Sequence, residues 1–203
     1  MPPTRPPRRA DAQRSFDSIL DGALDALASD PEASMAEIAH RAGVVRATIY
    51  VHFPTREALI AAVTERAVAE VTEAIEAAEP TRGEARDALK RVVIAAWSNL
   101  GRFHALVEVN TRLPQANLHA MHQPVLAVLQ PLVERGQRDG TFRSDVPAIW
   151  HLSMLLALVH AASGELSAGR IPASQVEPAL LASVLGAISA QSANCRDAID
   201  KPS

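Results

Sequence analysis

Residues 34–59 read SMAEIAHRAGVVRATIYVHFPTREAL, and this stretch decides the fold. Ser34 followed three positions later by Glu37 is a capping box. The hydroxyl accepts from an orphan helix N–H, and the carboxylate reaches back to the N–H of the cap. Ile38 and Ala39 give the short helix a buried side. Gly43 ends it, in a left-handed backbone conformation that Gly adopts without a Cβ penalty. A second short helix is expected from about Val45 to His52. Another starts near Pro54-Thr55 and runs to about Ala78, with Thr55 as its cap. Two short helices about the turn Ala42-Gly43-Val44 make a helix-turn-helix. Ile38, Ala39, Val44, Ile49 and Phe53 supply a small shared core, and Ala39 and Ala42 allow close approach. The other face of the second helix keeps Arg46, Thr48, Tyr50 and His52, the polar and basic side chains that major-groove reading requires.

Upstream, residues 1–10 hold four prolines and three arginines. That composition reads as a disordered basic arm, either a plain tail or a source of phosphate and minor-groove contacts. From Asp11, the spacing of Phe16, Ile19, Leu20, Ala23, Leu24 and Leu27 predicts a helix that Asp30-Pro31 ends. Downstream, helices are predicted over 84–100, 103–111 and 117–139, with Pro124 and Pro131 as bends. Two more follow, one capped by Asp145 and running to about Ala162, the other from Pro178 to about Ala193. No segment shows strand alternation with hairpin turns. The chain therefore reads as all-α with about nine helices. The expected division is an arm (1–10), a helix-turn-helix domain (11–58), a second helical domain (59–195) and a tail (196–203).

Composition narrows the function classes. Aromatic residues are 3% and hydrophobic residues 48%, so the core is built from Ala, Leu, Val and Ile. The net charge of −3 means that any nucleic-acid surface is a local feature. A single cysteine, Cys195, excludes a disulfide within the chain. The N-terminal region lacks an apolar signal-peptide core, so a cytoplasmic protein is expected. The apolar run 148–162 is shorter than the ~20 residues of a membrane span. His151, Ser153 and His160 also interrupt it, which favours a buried helix and no membrane partner. No GxSxG, HExxH, CxxC, P-loop or GxGxxG occurs in a workable context, so no enzyme is expected. His119 and His122 share a helix face without further ligands nearby, so neither a metal nor another cofactor is expected.

The pieces Ile38-Ala39, Ala42-Gly43-Val44, Thr48-Ile49-Tyr50, His52-Phe53 and Thr55-Arg56-Glu57-Ala58-Leu59 together resemble the DNA-binding domain of TetR-family transcriptional regulators. The matching pieces lie within residues 38–59. Beyond it, only the stretch from Glu134 to Asp145 resembles a common helix end of the family. The resemblance implies an N-terminal DNA-binding domain and a C-terminal domain for effector binding and dimerisation. It implies a homodimer on double-stranded DNA, a repressor released from a palindromic operator by a small, largely apolar effector. An activator or effector-independent regulator of the same fold is the alternative.

Residue roles follow from the same resemblance. Arg46 is the expected base reader, with a phosphate contact as the alternative, and Ala47 and Val51 meet base edges. Thr48, Tyr50 and His52 match phosphate-contacting positions. Arg56 stands where the family usually has Lys and is expected to meet phosphate, as is Ser34. Position 45 is often a capping Ser in the family. Here Val45 offers no capping oxygen and instead presents an apolar contact to a thymine methyl. Candidate effector contacts are Trp97, Phe103, His104, Val107, Met121, His122, Trp150, His151 and Met154. Candidate dimer contacts are Leu155, Val159, Leu181, Val184, Leu185 and Ile188.

Overall fold

The computed structural model describes residues 8–110 and 120–190. In chain order its helices are α1 (Arg8–Ser29), α2 (Met35–Arg41), α3 (Arg46–His52), α4 (Arg56–Ala77), α5 (Ala85–Leu100), a 3-10 turn (Gly101–Phe103), α6 (His104–Asn110), α7 (Gln123–Arg138), α8 (Ala148–Ser167) and α9 (Ala173–Ile188). The all-α expectation holds, with a helix count close to that read from the sequence. Two compact units form. One holds residues up to Glu73 with Ser98–Pro124, the other Ala74–Trp97 with residues from Val125 onward.

The core of the first unit joins Ile19, Leu20, Ala23 and Leu27 of α1 to Ile38 of α2, Ile49 of α3 and Phe53. Leu59, Ile60 and Val63 of α4 enter the same core, as do Phe103 and Leu106. The boundary expected after residue 58 thus falls inside a continuous helix whose first half packs with the helix-turn-helix. α1 begins at Arg8, so the last residues of the expected arm are helical. Residues 1–7, the tail and Cys195 lie outside the described residues.

In the second unit, Ala85, Leu89, Val92, Val93 and Trp97 form the buried face of α5, and Val125, Leu126, Leu129, Leu132 and Val133 that of α7. Arg91 closes the turn between α4 and α5 by donating to the carbonyls of Ala78, Glu79 and Arg82 at 3.1, 2.9 and 2.8 Å. A short hook leaves α7. Phe142 lies against Gly136, where a Cβ would come within 2.1 Å of the ring. The hook pairs with the end of α9 through Arg143 N–H to Ile188 O at 2.9 Å and Ala190 N–H to Thr141 O at 3.2 Å.

Several expected helix limits move. Asp145 is not the cap of α8, which starts after Pro147. Its carboxylate takes both ends of the Arg143 guanidinium instead, and that pairing pulls its pKa down to about 2. α8 continues to Ser167, so the length argument against a membrane span does not stand. By length and composition alone α8 could cross a membrane, and 22% of its most apolar window is buried within the chain. α9 starts at Ala173 and carries Pro178 inside it. The sequence gives a proline as a helix start, whereas here it is accommodated near the N-terminal end of one. Of the helix expected over 117–139, residues from 120 are described, with a turn at His122 ahead of α7, which has Pro124 in its first turn and Pro131 in its interior. His119 lies outside the described residues.

Candidate nucleic-acid interface

The two short helices are built in opposite ways. α2 holds its own N-terminus. Glu37 N–H donates to Ser34 Oγ at 3.3 Å, and Ser34 N–H donates to Glu37 Oε2 at 3.0 Å. Met35, Ile38 and Ala39 bury its inner side. The turn follows, with Gly43 at φ 66° and Val44 N–H donating to Ala39 O at 3.0 Å. Gly22 of α1 makes this turn possible. A Cβ there would lie 2.6 Å from the backbone of Ala42.

α3 has no side-chain cap, as the absence of an oxygen at Val45 requires. Thr48 N–H turns back to Val45 O at 2.8 Å. Ile49 is the residue of α3 that is fully buried. Phe53, just beyond it, stacks on Phe16 at 5.2 Å between ring centroids, and Phe16 also meets the edge of His52 at 6.0 Å. The residues expected at base edges, and Tyr50 with them, face outward. Val45 is 70% exposed and Val51 80%, and Arg46, Ala47 and Tyr50 are exposed beside them. The Arg46 guanidinium sits 5.8 Å from the Tyr50 ring centroid, within cation–π range. Thr48 and His52 are half-buried at the margins.

α4 begins with Thr55, whose Oγ1 accepts from Ala58 N–H at 3.1 Å. Glu57 lies in this first turn, and its own backbone N–H, then Thr55, then Arg56 hold its carboxyl below the usual range. Arg56 departs from expectation. It is half-buried and donates from Nε to Ala33 O at 3.2 Å and from Nη2 to Pro31 O at 2.5 Å. The loop ahead of α2 leaves these carbonyls without helical partners, and a nearby guanidinium satisfies them. Arg56 therefore ties the loop to α4, and any phosphate contact it makes requires leaving or sharing those acceptors.

Comparison with known proteins places this geometry. Residues 19–63, from α1 into α4, match the domain described as bacterial regulatory proteins, tetR family. The HTH-type transcriptional repressor LfrR of Mycolicibacterium smegmatis is 30% identical over 181 residues, covering 87% of this chain and 91% of that protein. The chain belongs to the TetR family. The HTH-type transcriptional repressor NicS of Pseudomonas putida is 26% identical over 162 residues, covering 74% of this chain and 76% of the relative. The solved structure of LfrR from Mycobacterium smegmatis in complex with proflavine superposes with a TM-score of 0.68 at 26% identity, covering 88% of this chain and 98% of that one. FadR of Bacillus subtilis, solved with stearoyl-CoA, has a TM-score of 0.69 at 18% identity over 84% of this chain and 96% of that one, a likeness of fold alone. TetR-family proteins are soluble DNA-binding transcriptional regulators and not enzymes.

The remaining predicted residues of this TetR-family regulator are spread over both units. Phe103, His104, Val107, Met121 and His122 lie in the first, and Trp97, Trp150, His151 and Met154 in the second. Trp97, Phe103 and Val107 are buried, and burial pushes the His104 imidazole below its ordinary pKa. Trp150 is a correction. In the first turn of α8 it is 61% exposed, so its ring faces outward from its own unit. His151 is buried with Nε2 3.0 Å from Arg143 O, so the ring braces the hook, and its Nδ1 has no hydrogen-bond partner among the described residues. A cavity of about 540 Å³ lies in the first unit, and of these candidates Met121 alone borders it.

The dimer candidates divide likewise. Leu155, Val184 and Ile188 are buried within their own unit, where α8 packs on α9, so they brace that pair and offer a partner no surface. Val159, Leu181 and Leu185 stay half-exposed. The outer face that the sequence did not single out carries Ile149 and Trp150, which are exposed.

Proposed function

We propose that this regulator is a repressor that sits as a homodimer on a palindromic operator and leaves it when a small, largely apolar effector binds. The observation that carries the DNA half is the bare outer face of α3. Val45, Arg46, Ala47, Tyr50 and Val51 face outward from a helix held down by Ile49. A helix so mounted enters the major groove, with Arg46 bidentate to a guanine and Val45, Ala47 and Val51 against base edges and thymine methyls. Thr48, Tyr50, His52 and Ser34 meet the backbone, and Arg56 joins them on releasing its loop carbonyls.

The dimer half rests on α8 and α9. α8 is apolar along its length, yet only His151, Leu152, Leu155 and Ser163 are buried. A helix apolar all round belongs inside a core, and a second copy of the same pair supplies the missing cover in an isologous interface. Val159, Leu181, Leu185, Ile149 and Trp150 are the proposed contacts. The two recognition helices then address half-sites about 34 Å apart. The effector favours another spacing through its tighter binding to that state. Two relatives are named as repressors, and one was solved with proflavine, which supports the effector half. Apart from Trp150, the effector contacts named from the sequence stay part of this proposal.

The deciding experiment is a binding-site selection on Arg46→Ala. The variant should lose about 1–3 kcal/mol of operator affinity and relax its preference at one base pair per half-site. Recovery of an unchanged motif would remove Arg46 from base reading.

A further inference from the structure

Five successive carbonyls just beyond α4 are held by two arginines. Arg91 of α5 donates from Nε to Ala78 O and from Nη2 to Glu79 O and Arg82 O. Arg135 of α7 donates from Nη2 to Pro80 O at 3.0 Å and from Nη1 to Thr81 O. Every peptide oxygen from 78 to 82 thus receives a guanidinium N–H. All these residues belong to the second unit.

This clasp exceeds what the turn needs for hydrogen bonding. Three of the five bonds are exposed, where water would serve the carbonyl nearly as well. Two unfavourable features accompany it. Arg135 Nε is buried with no hydrogen-bond partner among the described residues. Glu79 takes φ 53°, alone among the described non-glycine residues in the left-handed region. What the clasp supplies is a fixed path. A guanidinium presents its donors in one rigid plane, so the pair sets the direction in which the chain leaves α4. Arg91 also places its charge at the C-terminal end of that helix, where the dipole favours a cation.

α4 is the helix whose other half belongs to the DNA-binding unit. Its Leu59, Ile60 and Val63 lie in the core that carries α2 and α3. The 22 residues of α4 form one continuous helix, so a tilt at one end is carried to the other. At about 1.5 Å per residue the helix is roughly 33 Å long, and a tilt of about 3° moves its far end by about 1.7 Å. Adding one base pair between two half-sites moves them about 3.4 Å apart, which is about 1.7 Å per protomer, and turns them by roughly 34°. A few degrees of slack at the end of α4 would therefore take up the displacement that one base pair introduces.

We propose that Arg91 and Arg135 are positioning residues that set how strictly the dimer measures the distance between its two half-sites. The inference rests on the homodimer and palindromic operator proposed above. It adds to that reading two residues that specify the target while leaving base contact to α3.

The test uses the full chain and duplexes that carry the half-sites recovered by selection with the wild type. They are made at the selected spacing and with one base pair inserted or removed at the centre. The wild type should bind the altered duplexes roughly 50-fold more weakly than the selected one. Arg135→Met keeps the apolar stem and removes the donors. It should narrow that ratio to below about ten-fold and change binding at the selected spacing by less than about three-fold. Arg135→Lys, a point charge without the planar fork, should fall between, and it serves in place of Arg135→Met if that variant does not fold. Each ratio compares duplexes on one preparation, so the folded fraction cancels, and a merely structural role would weaken all duplexes alike. A variant as strict as the wild type would overturn the proposal and leave the homodimer in place. A wild type indifferent to spacing would overturn it together with the homodimer.

Discussion

α2 and α3 are each seven residues long and lie on either side of one turn, yet they are stabilised from different sources. α2 carries a reciprocal cap and three buried side chains. α3 has no cap, and one fully buried side chain holds it to the fold. A helix that short is marginal by itself, so nearly all its order comes from what it packs on. The pairing teaches a division of labour. The supporting helix spends its polar groups on itself, and the reading helix leaves its polar and apolar side chains free for a partner. Its first turn has no side-chain cap.

The contrast is broken most severely from beneath. Gly22→Ala would drive a methyl into the Ala42 backbone, where the available distance is 2.6 Å. Backbone has little room to yield, so a loss of about 3 kcal/mol is expected, measured by urea unfolding. A loss below about 0.5 kcal/mol would show that α1 and the turn shift apart freely. Ser34→Ala strikes the capped member of the pair. It should cost about 1 kcal/mol by the same measurement, with both bonds of the box lost together.

Val45→Ser gives α3 what α2 already has. It should stabilise the unit by about 0.5 kcal/mol, less than Ser34→Ala removes, because the free chain gains order only in one turn. Amide exchange of the residues after position 45 should slow in the variant. An unchanged exchange rate would mean that the uncapped turn is held by something other than a cap. The smallest effect concerns α6, which packs against α1. Burial lowers the His104 pKa from its ordinary 6.5, so the unfolded chain takes up this proton first as pH falls. Stability from a neutral His104 is thus full above about pH 6.5 and declines as pH drops from there through the lower folded value. His104→Gln should flatten that decline, read as unfolding midpoints between pH 7.5 and pH 5.

What could be read in advance follows the range of the interactions. The capping box, the turn glycine and the missing cap at Val45 are local, decided by residues within a few positions of each other, and all stand as read. The need for Gly22 lies about twenty residues away at Ala42, so no local rule supplies it, although a glycine in mid-helix is itself a signal that something approaches closely. Arg56 was read by its place in a motif, and the carbonyls that hold it come from a loop whose path no local rule supplies. Val184, Ile188 and Leu155 are dimer candidates by family resemblance, and α8, apolar nearly all round, carries no periodic mark of which face is inner. Asn110 left no trace in the sequence. Its burial against Thr64 depends on a long-range contact between α4 and α6 that no local rule supplies.

The single peg at Ile49 has a consequence for descent. Because the fold asks little of Arg46, Ala47, Tyr50 and Val51, substitutions there are nearly free of a stability cost, as they are at exposed sites generally. After a gene duplication, one copy could drift to a new operator without first acquiring compensating changes in the core. Position 49 would stay fixed while its neighbours diverge, and a lineage of such regulators would record its changes of target in those few outward residues.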